Sequence, residues 1–151
     1  MSDSSGTFTI AEFRPEQQPE MIELWRACGL VVPWNHPARD IERKLADSPG
    51  LFFAGHLEDR LVASCMAGYD GHRGWIYFLA VHPDFRRGGF AAAMVQHAEG
   101  RLRELGCPKI DLMVRDSNTS VIDFYQAIGY RIDPVRVLSK RLSDDDEDDF
   151  L

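Results

Sequence analysis

Cysteine is scarce in this chain, and its three copies, Cys28, Cys65 and Cys107, lie far apart with no C-x-x-C step among them. That argues against a disulfide framework and against a zinc site, and it points to a reducing compartment. The histidines share no ligand spacing with the cysteines, so no metal is expected. An apolar run of bilayer-spanning length is lacking, as is a charged-then-apolar leader after Met1, and a cytoplasmic protein without a membrane partner is the expectation. No basic stripe stands out, which disfavours nucleic acid. Internal repeats are absent.

Negative charge is plentiful but local. Of the net charge of −7, the run Asp144-Asp145-Asp146-Glu147-Asp148-Asp149 carries −6, which leaves the rest of the chain at −1. The acidic balance therefore belongs to a solvated tail rather than to a folded body. With 151 residues, 44% hydrophobic and 27% charged, the chain has material for one core. The expected division is a frayed N-terminus over 1–6, one domain over 7–142 and an acidic tail over 143–151.

Hydrophobic periodicity gives the elements in order. Thr7 to Phe13 alternates, with Phe8 and Ile10 on one face, as a strand does. Pro19 to Leu30 places Met21, Leu24, Trp25 and Cys28 on one helical face, and Gly29 follows the last turn. Val31 to Pro37 is a proline-bounded loop with Trp34 and Asn35 at its tip. A helix over Ala38 to Asp47 packs Ile41 and Leu45. Leu51–Leu57 and Leu61–Gly68 form a hairpin around Glu58-Asp59-Arg60. The turn Gly68-Tyr69-Asp70-Gly71-His72-Arg73-Gly74 is either a plain connection or a substrate-facing cluster. Trp34 likewise either caps the core or closes over a polar substrate. Further on, Lys109–Val114 reads as a strand, a helix starts near Thr119 behind Asn118, and Tyr130–Asp133 and Val135–Leu142 read as two last strands.

The organising stretch is Arg73 to Leu105. An apolar strand, Trp75 to Val81, leads through His82-Pro83-Asp84-Phe85 into Arg86-Arg87-Gly88-Gly89-Phe90-Ala91. A helix comes next, with Ala91, Met94, Val95, Ala98, Leu102 and Leu105 on one face and Gly106 as its stop. The first turn of a helix leaves backbone N–H groups unpaired and carries partial positive charge, so a glycine loop feeding one is a ready phosphate or pyrophosphate site. The spacings of a nucleoside-triphosphate loop and of a dinucleotide fold are both missing.

What stands there is Arg86-x-x-Gly89-x-Ala91 after Val81-His82-Pro83, which resembles the acyl-coenzyme A pyrophosphate loop of the GCN5-related N-acetyltransferases, of pattern Q/R-x-x-G-x-G/A. A second motif, Asn118-x-x-x-x-x-Phe124-Tyr125-x-x-x-Gly129-Tyr130, resembles that family's other signature. Pro33-Trp34-Asn35-x-Pro37, Asp40 to Lys44 and Gly68 to Gly74 look like its YpeA-like branch. The resemblance implies an α/β (α+β) fold with a mixed, mostly antiparallel sheet of six to seven strands, splayed at its central strands and flanked by about four helices. It implies acetyl-CoA as co-substrate, bonded to backbone at Leu79, Ala80 and Val81, with its pyrophosphate at Arg86, Arg87, Gly88, Gly89, Phe90 and Ala91, and with Asn118 and Tyr125 nearby. Acetyl then passes directly to a primary amine.

By the same resemblance Tyr125 is the acid for the departing thiolate. Many members carry a glutamate base on the central strand, but Trp75 to Val81 has no carboxylate. Water relaying a proton to Asp70 or His72 is the substitute considered, with Trp34, Asn35, Asp70, His72 and Arg73 facing the acceptor. A lysine amine (pKa about 10.4) is nearly all protonated at neutral pH, whereas an α-amine (about 7.7–8.0) is substantially neutral, so weak base machinery favours the latter. Two other readings stay open: a catalytically impaired acyl-CoA-binding module, and an interaction module. The sequence sets no oligomeric state, and a homodimer is kept open.

Overall fold

The computed structural model describes residues 6–143. Of the expected frayed N-terminus all but Gly6, and of the expected acidic tail all but Ser143, lie outside the described residues. The elements are β1 (Phe8–Glu12), α1 (Gln18–Ala27), α2 (Pro37–Asp47), β2 (Phe52–Leu57), β3 (Arg60–Tyr69), β4 (Gly74–Val81), α3 (Phe90–Glu104), β5 (Ile110–Asp111) and α4 (Thr119–Ala127). Short 3₁₀ turns at Pro15–Gln17, Pro49–Leu51 and Pro83–Phe85 each begin on the proline that the first helical turn tolerates.

The strands form one sheet in the order β1-β2-β3-β4-β5, antiparallel except for the β4–β5 pair, which is parallel. Alternation along a strand sends side chains to opposite faces, and β2 shows it. Phe52 and Ala54 join Met21, Leu24, Trp25 and Ile41 of α1 and α2. Phe53 joins Met94, Val95, Ala98 and Leu102 of α3 and Tyr125 of α4. The sheet is thus the middle of three layers with an apolar cluster on each side. Lys44 braces α2 to the sheet by donating to the Ala67 carbonyl and to Ser48 Oγ (2.8 Å), and burial lowers its pKa.

Two irregularities in the sheet create the site. The β3–β4 register skips between Ser64 and Met66, which face Ala80 and Tyr77 respectively, so Phe78 and Leu79 together stand opposite Cys65. Such a bulge twists the strand and re-aims its peptide groups. The β4–β5 ladder pairs only Gly74 with Ile110 and Trp75 with Asp111, and from Ile76 onward β4 has no strand on that side among the described residues. The sheet opens there.

The fold class stands as expected, but the sheet has five strands among the described residues rather than six to seven. The strand read over Lys109–Val114 shrinks to Ile110–Asp111, and Tyr130–Asp133 and Val135–Leu142 form no strand. Alternation supplies a strand's side-chain pattern, but a strand also needs an edge to bond to. The only such bond described within 131–142 is Val135 N–H to the Asp133 carbonyl at 2.9 Å. Ile132, Val135, Val137, Leu138 and Leu142 are all exposed accordingly.

Gly55 sits where β1, β3 and α3 all pack closely on β2. A Cβ there would lie 2.7 Å from the Phe8 ring, 2.9 Å from Ala63 Cβ and 2.9 Å from Met94 Sδ. Two of those neighbours sit on adjacent strands and cannot withdraw. Gly55→Ala is expected to lower stability by about 1–3 kcal/mol, the usual cost of overpacking, read as a lower urea midpoint at unchanged m-value.

Candidate active site

The site is assembled where β4 ends. His82 N–H still bonds the Val62 carbonyl at 2.8 Å, and the His82 ring accepts from Asp84 N–H at 3.1 Å, which starts the turn Pro83–Phe85. Arg86 folds back so that its Nε donates to the Val81 carbonyl at 3.0 Å, and the Cys28 thiol donates to the same oxygen at 3.3 Å. Burial pushes the Cys28 thiol up while Arg86 pulls it down. Arg86 therefore clamps the base of the loop in addition to lending it charge.

Beyond the clamp the chain takes positive φ at Arg87 (71°) and at Gly89 (79°), the residue that caps α3. Alternating hands of this kind turn successive N–H groups toward one concavity. Among the described residues no acceptor meets the amides of Arg87, Gly88, Gly89, Phe90 or Ala91, and Arg86 to Gly89 are exposed. The helix behind them is anchored by the Phe90 ring, stacked on Phe8 at 4.3 Å. Five open donors at the positive end of a 15-residue helix fit a diphosphate, which brings acceptor oxygens and negative charge to both.

The opening beside β4 runs back from that loop. On the α3/α4 side stands Tyr125, 7% exposed, packed in the same apolar cluster as Leu79. Its hydroxyl has no hydrogen-bond partner among the described residues. Burial raises its pKa well above the usual phenol value, and the nearby Cys65 adds to the rise. Cys65 is the residue opposite the β4 bulge, and it shares one apolar cluster with Tyr125 and Leu79. The neighbouring Tyr130, by contrast, donates to Glu99 Oε2 at 2.7 Å and ties the end of α4 to α3. Asn118 stands at the start of α4, exposed. Its side chain makes no cap bond and only accepts from Ser120 Oγ at 3.4 Å, so its amide Nδ2 is open to a ligand.

The residues read as acceptor-facing are more self-contained. Asp70 Oδ1 accepts from the His72 and Arg73 backbone N–H groups, each at 2.8 Å, and Oδ2 accepts from Trp75 Nε1 at 3.4 Å. Those backbone bonds, that of Arg73 first, hold its carboxyl below the usual aspartate range and make it a weaker base. Arg73 donates to the His72 carbonyl at 3.0 Å, and its Nε lies 4.0 Å from Asp111 Oδ2 on β5. Asn35 Oδ1 accepts from Val32 N–H at 2.9 Å and so braces the loop between α1 and α2. Trp34 is half-buried and belongs to neither apolar cluster, and His72 is exposed. From the head of β4 at Gly74 to Leu79 is roughly 16 Å at about 3.3 Å per residue, so Asp70 and His72 do not meet the bulge directly.

Sequence reading missed Tyr77. It is 42% exposed in mid-strand, and alternation from Ile76 turns it to the α1/α2 face. Burial and the charge of Asp70 raise its pKa. A phenol inside an otherwise apolar strand was the available signal. Among the described residues no cluster of His, Cys, Asp and Glu is arranged to hold a metal, and no helix is long and apolar enough to cross a membrane.

A strand edge left open beside a helix start with free amides is what a transferase needs to hold a phosphate-bearing acyl thioester. Residues 13–130 match the Acetyltransferase (GNAT) family, and the chain belongs to it. It is an acetyl-CoA-dependent N-acetyltransferase, with acetyl-CoA as co-substrate. An acetyltransferase of Sodalis glossinidius (strain morsitans) is 48% identical over 139 residues, covering 91% of this chain and 98% of its own. One from Yersinia enterocolitica is 46% identical over 138 residues, covering 91% and 98%. Among solved structures, PaiA N-acetyltransferase from Thermoplasma acidophilum in complex with coenzyme A superposes with a TM-score of 0.76 at 15% identity, covering 86% of this chain and 93% of that one.

The turn before β4 yields a pH test. Because the Asp70 carboxyl pKa is lower in the folded chain than in the unfolded one, its contribution to stability is complete above the ordinary aspartate value. That contribution is lost as pH falls through the lowered value. Carboxyl-carbon NMR is expected to give Asp70 a midpoint below that of free aspartate, and Asp70→Asn to lower Tm at pH 7 with a gap that closes on acidification.

Proposed function

We propose that this protein transfers acetyl from acetyl-CoA directly to the primary amine of a small molecule or of a peptide or protein N-terminus. The observation that carries the reading is a line of backbone: the open amides from Arg87 to Ala91, and then the strand-free edge of β4 from Val81, whose carbonyl Arg86 and Cys28 already occupy, back to the bulge at Phe78 and Leu79. The diphosphate takes the first part, and the pantetheine arm lies along the second as an added strand would. Leu79, Ala80 and the Val81 amide N–H are the backbone partners of that arm, with the Asn118 amide beside it.

In the transfer, the amine lone pair attacks the thioester carbonyl carbon, a C–N bond forms and the carbonyl oxygen becomes an oxyanion. Backbone N–H at Leu79 stabilises it, and one such donor is worth about 10²–10³ in rate. Collapse breaks the C–S bond, Tyr125 donates its proton to the sulfur, the nitrogen loses its extra proton to water, and water returns a proton to the Tyr125 phenolate. The burial that weakens Tyr125 as an acid also raises a thiolate placed beside it, so donor and acceptor shift together.

A base is the weak point of this site. Asp70 is far from the bulge and depressed in pKa, and relay through water to it or to His72 is slow help. The acceptor therefore arrives neutral, which favours amines of low pKa such as α-amines. Trp34, Tyr77 and Trp75 offer it aromatic surface. The three free thiols support cytoplasmic residence, and the exposed apolar residues between Ile132 and Leu142 support a homodimer.

A panel of amines and peptide N-termini, scored for acetyl-CoA-dependent thiol release, tests the reading. Release with α-amines above that with matched ε-amines near pH 7 is expected. Coenzyme binding without release from any amine would instead identify an impaired binding module. With an active acceptor, Tyr125→Phe is expected to lower kcat about 10²-fold while the Kd for CoA is unchanged. Gly89→Ala forces a side chain into positive φ at a cost of about 1–2 kcal/mol, and is expected to weaken CoA binding by roughly tenfold in calorimetry.

A further inference from the structure

Two polar side chains are buried inside the apolar cluster between α1 and the sheet, and they face each other. Trp25 and Ser64 are each 0% exposed. Trp25 Nε1 donates to Ser64 Oγ at 3.0 Å, and the Ser64 hydroxyl donates onward to the Phe78 carbonyl at 2.7 Å. Burying a hydroxyl and an indole N–H is costly unless each bonds, and an apolar pair would pack there without that demand. The relay ends on one backbone oxygen, and that oxygen belongs to the bulge.

Phe78 is the residue that needs holding. Its φ of +51° is left-handed, a conformation that costs a side-chain-bearing residue about 1–2 kcal/mol and persists only when the surroundings over-determine it. Trp25 holds it twice. The indole stacks on the Phe78 ring at 4.1 Å, and through Ser64 it fixes the Phe78 carbonyl. The Phe78–Leu79 peptide is trans, so its N–H points opposite to its C=O. With the carbonyl drawn to Ser64, on β3 and toward α1, the Leu79 N–H is aimed the other way, toward the free edge of β4 and the side where Tyr125 lies.

We propose that Trp25 and Ser64 are positioning residues whose relay to the Phe78 carbonyl aims the Leu79 N–H at the thioester carbonyl of bound acetyl-CoA. The inference rests on the proposed function in one respect, that Leu79 N–H is the donor to that oxygen. Neither side chain touches the coenzyme. Trp25→Phe keeps the ring stack and removes the donor, whereas Ser64→Ala removes the relay and leaves the Phe78 carbonyl without its hydroxyl partner.

The test is the infrared band of acetyl-CoA labelled with ¹³C at the thioester carbonyl, bound to the full chain, which needs no acceptor. In the unaltered protein the band is expected below that of free acetyl-CoA, as a hydrogen bond to the carbonyl requires. In Trp25→Phe and Ser64→Ala it is expected to return toward the free position while the Kd for CoA stays within about threefold, since the pyrophosphate loop is untouched. If Ser64→Ala does not fold, Trp25→Phe carries the test alone. Bands in the variants identical to the unaltered protein's would overturn the inference and leave the proposed function standing. Loss of CoA affinity in step with the band would overturn it too, because the pair would then be general scaffolding. An unshifted band in the unaltered protein with CoA bound would remove Leu79 as donor and the inference with it, and failure to bind CoA at all would sink the proposed function itself.

Discussion

The parallel pairing of β4 and β5 stops after Trp75, and the site exists because it stops. Had the ladder run on to Val81, the backbone of Ile76 to Val81 would be satisfied on both sides and nothing could lie alongside it. Instead the sheet supplies half of a strand pair, and among the described residues no strand supplies the other half. The loop after β4 repeats the logic with amides that the start of α3 cannot use. A buried donor left unpaired costs about 1–3 kcal/mol, so such groups are kept at an open surface until a carrier with matching acceptors covers them. In the mode proposed above both halves of the carrier are met by main chain, and side chains serve chiefly to hold that main chain in place.

This division explains where the charged groups are. Arg86 clamps the Val81 carbonyl, and Asp70 closes a turn. Neither is an idle charge waiting in the cleft. Chemistry that relies on fixed peptide dipoles suits a site whose central strand bears no carboxylate, because such dipoles need no reorganisation as the oxyanion forms. It also shifts the burden of deprotonation to the incoming nucleophile.

How far each feature is legible in the chain depends on how local it is. The loop and α3 are legible because Gly88, Gly89 and the spacing of Met94, Val95, Ala98 and Leu102 act within a few residues of one another. The two apolar faces of β2 are legible for the same reason. The last strands are not, since Val135 to Leu142 has the right alternation and lacks an edge to join, and pairing is a property of two segments. Asp70 reads equally as part of a plain connection and as substrate-facing, and an Asp followed by Gly71 is also how a turn is capped. The bulge gives no sign at all, because a phenylalanine is among the last residues expected at positive φ. Its cause lies far upstream in Trp25, and no window on β4 contains it.

An edge left for a ligand is equally an edge left for a neighbour. Ile76 to Val81 is uncharged, rich in aromatic and branched side chains and free of proline, the composition that adds strand to strand between molecules. A coenzyme lying along it, in the mode proposed above, leaves that edge no room for a neighbour's strand.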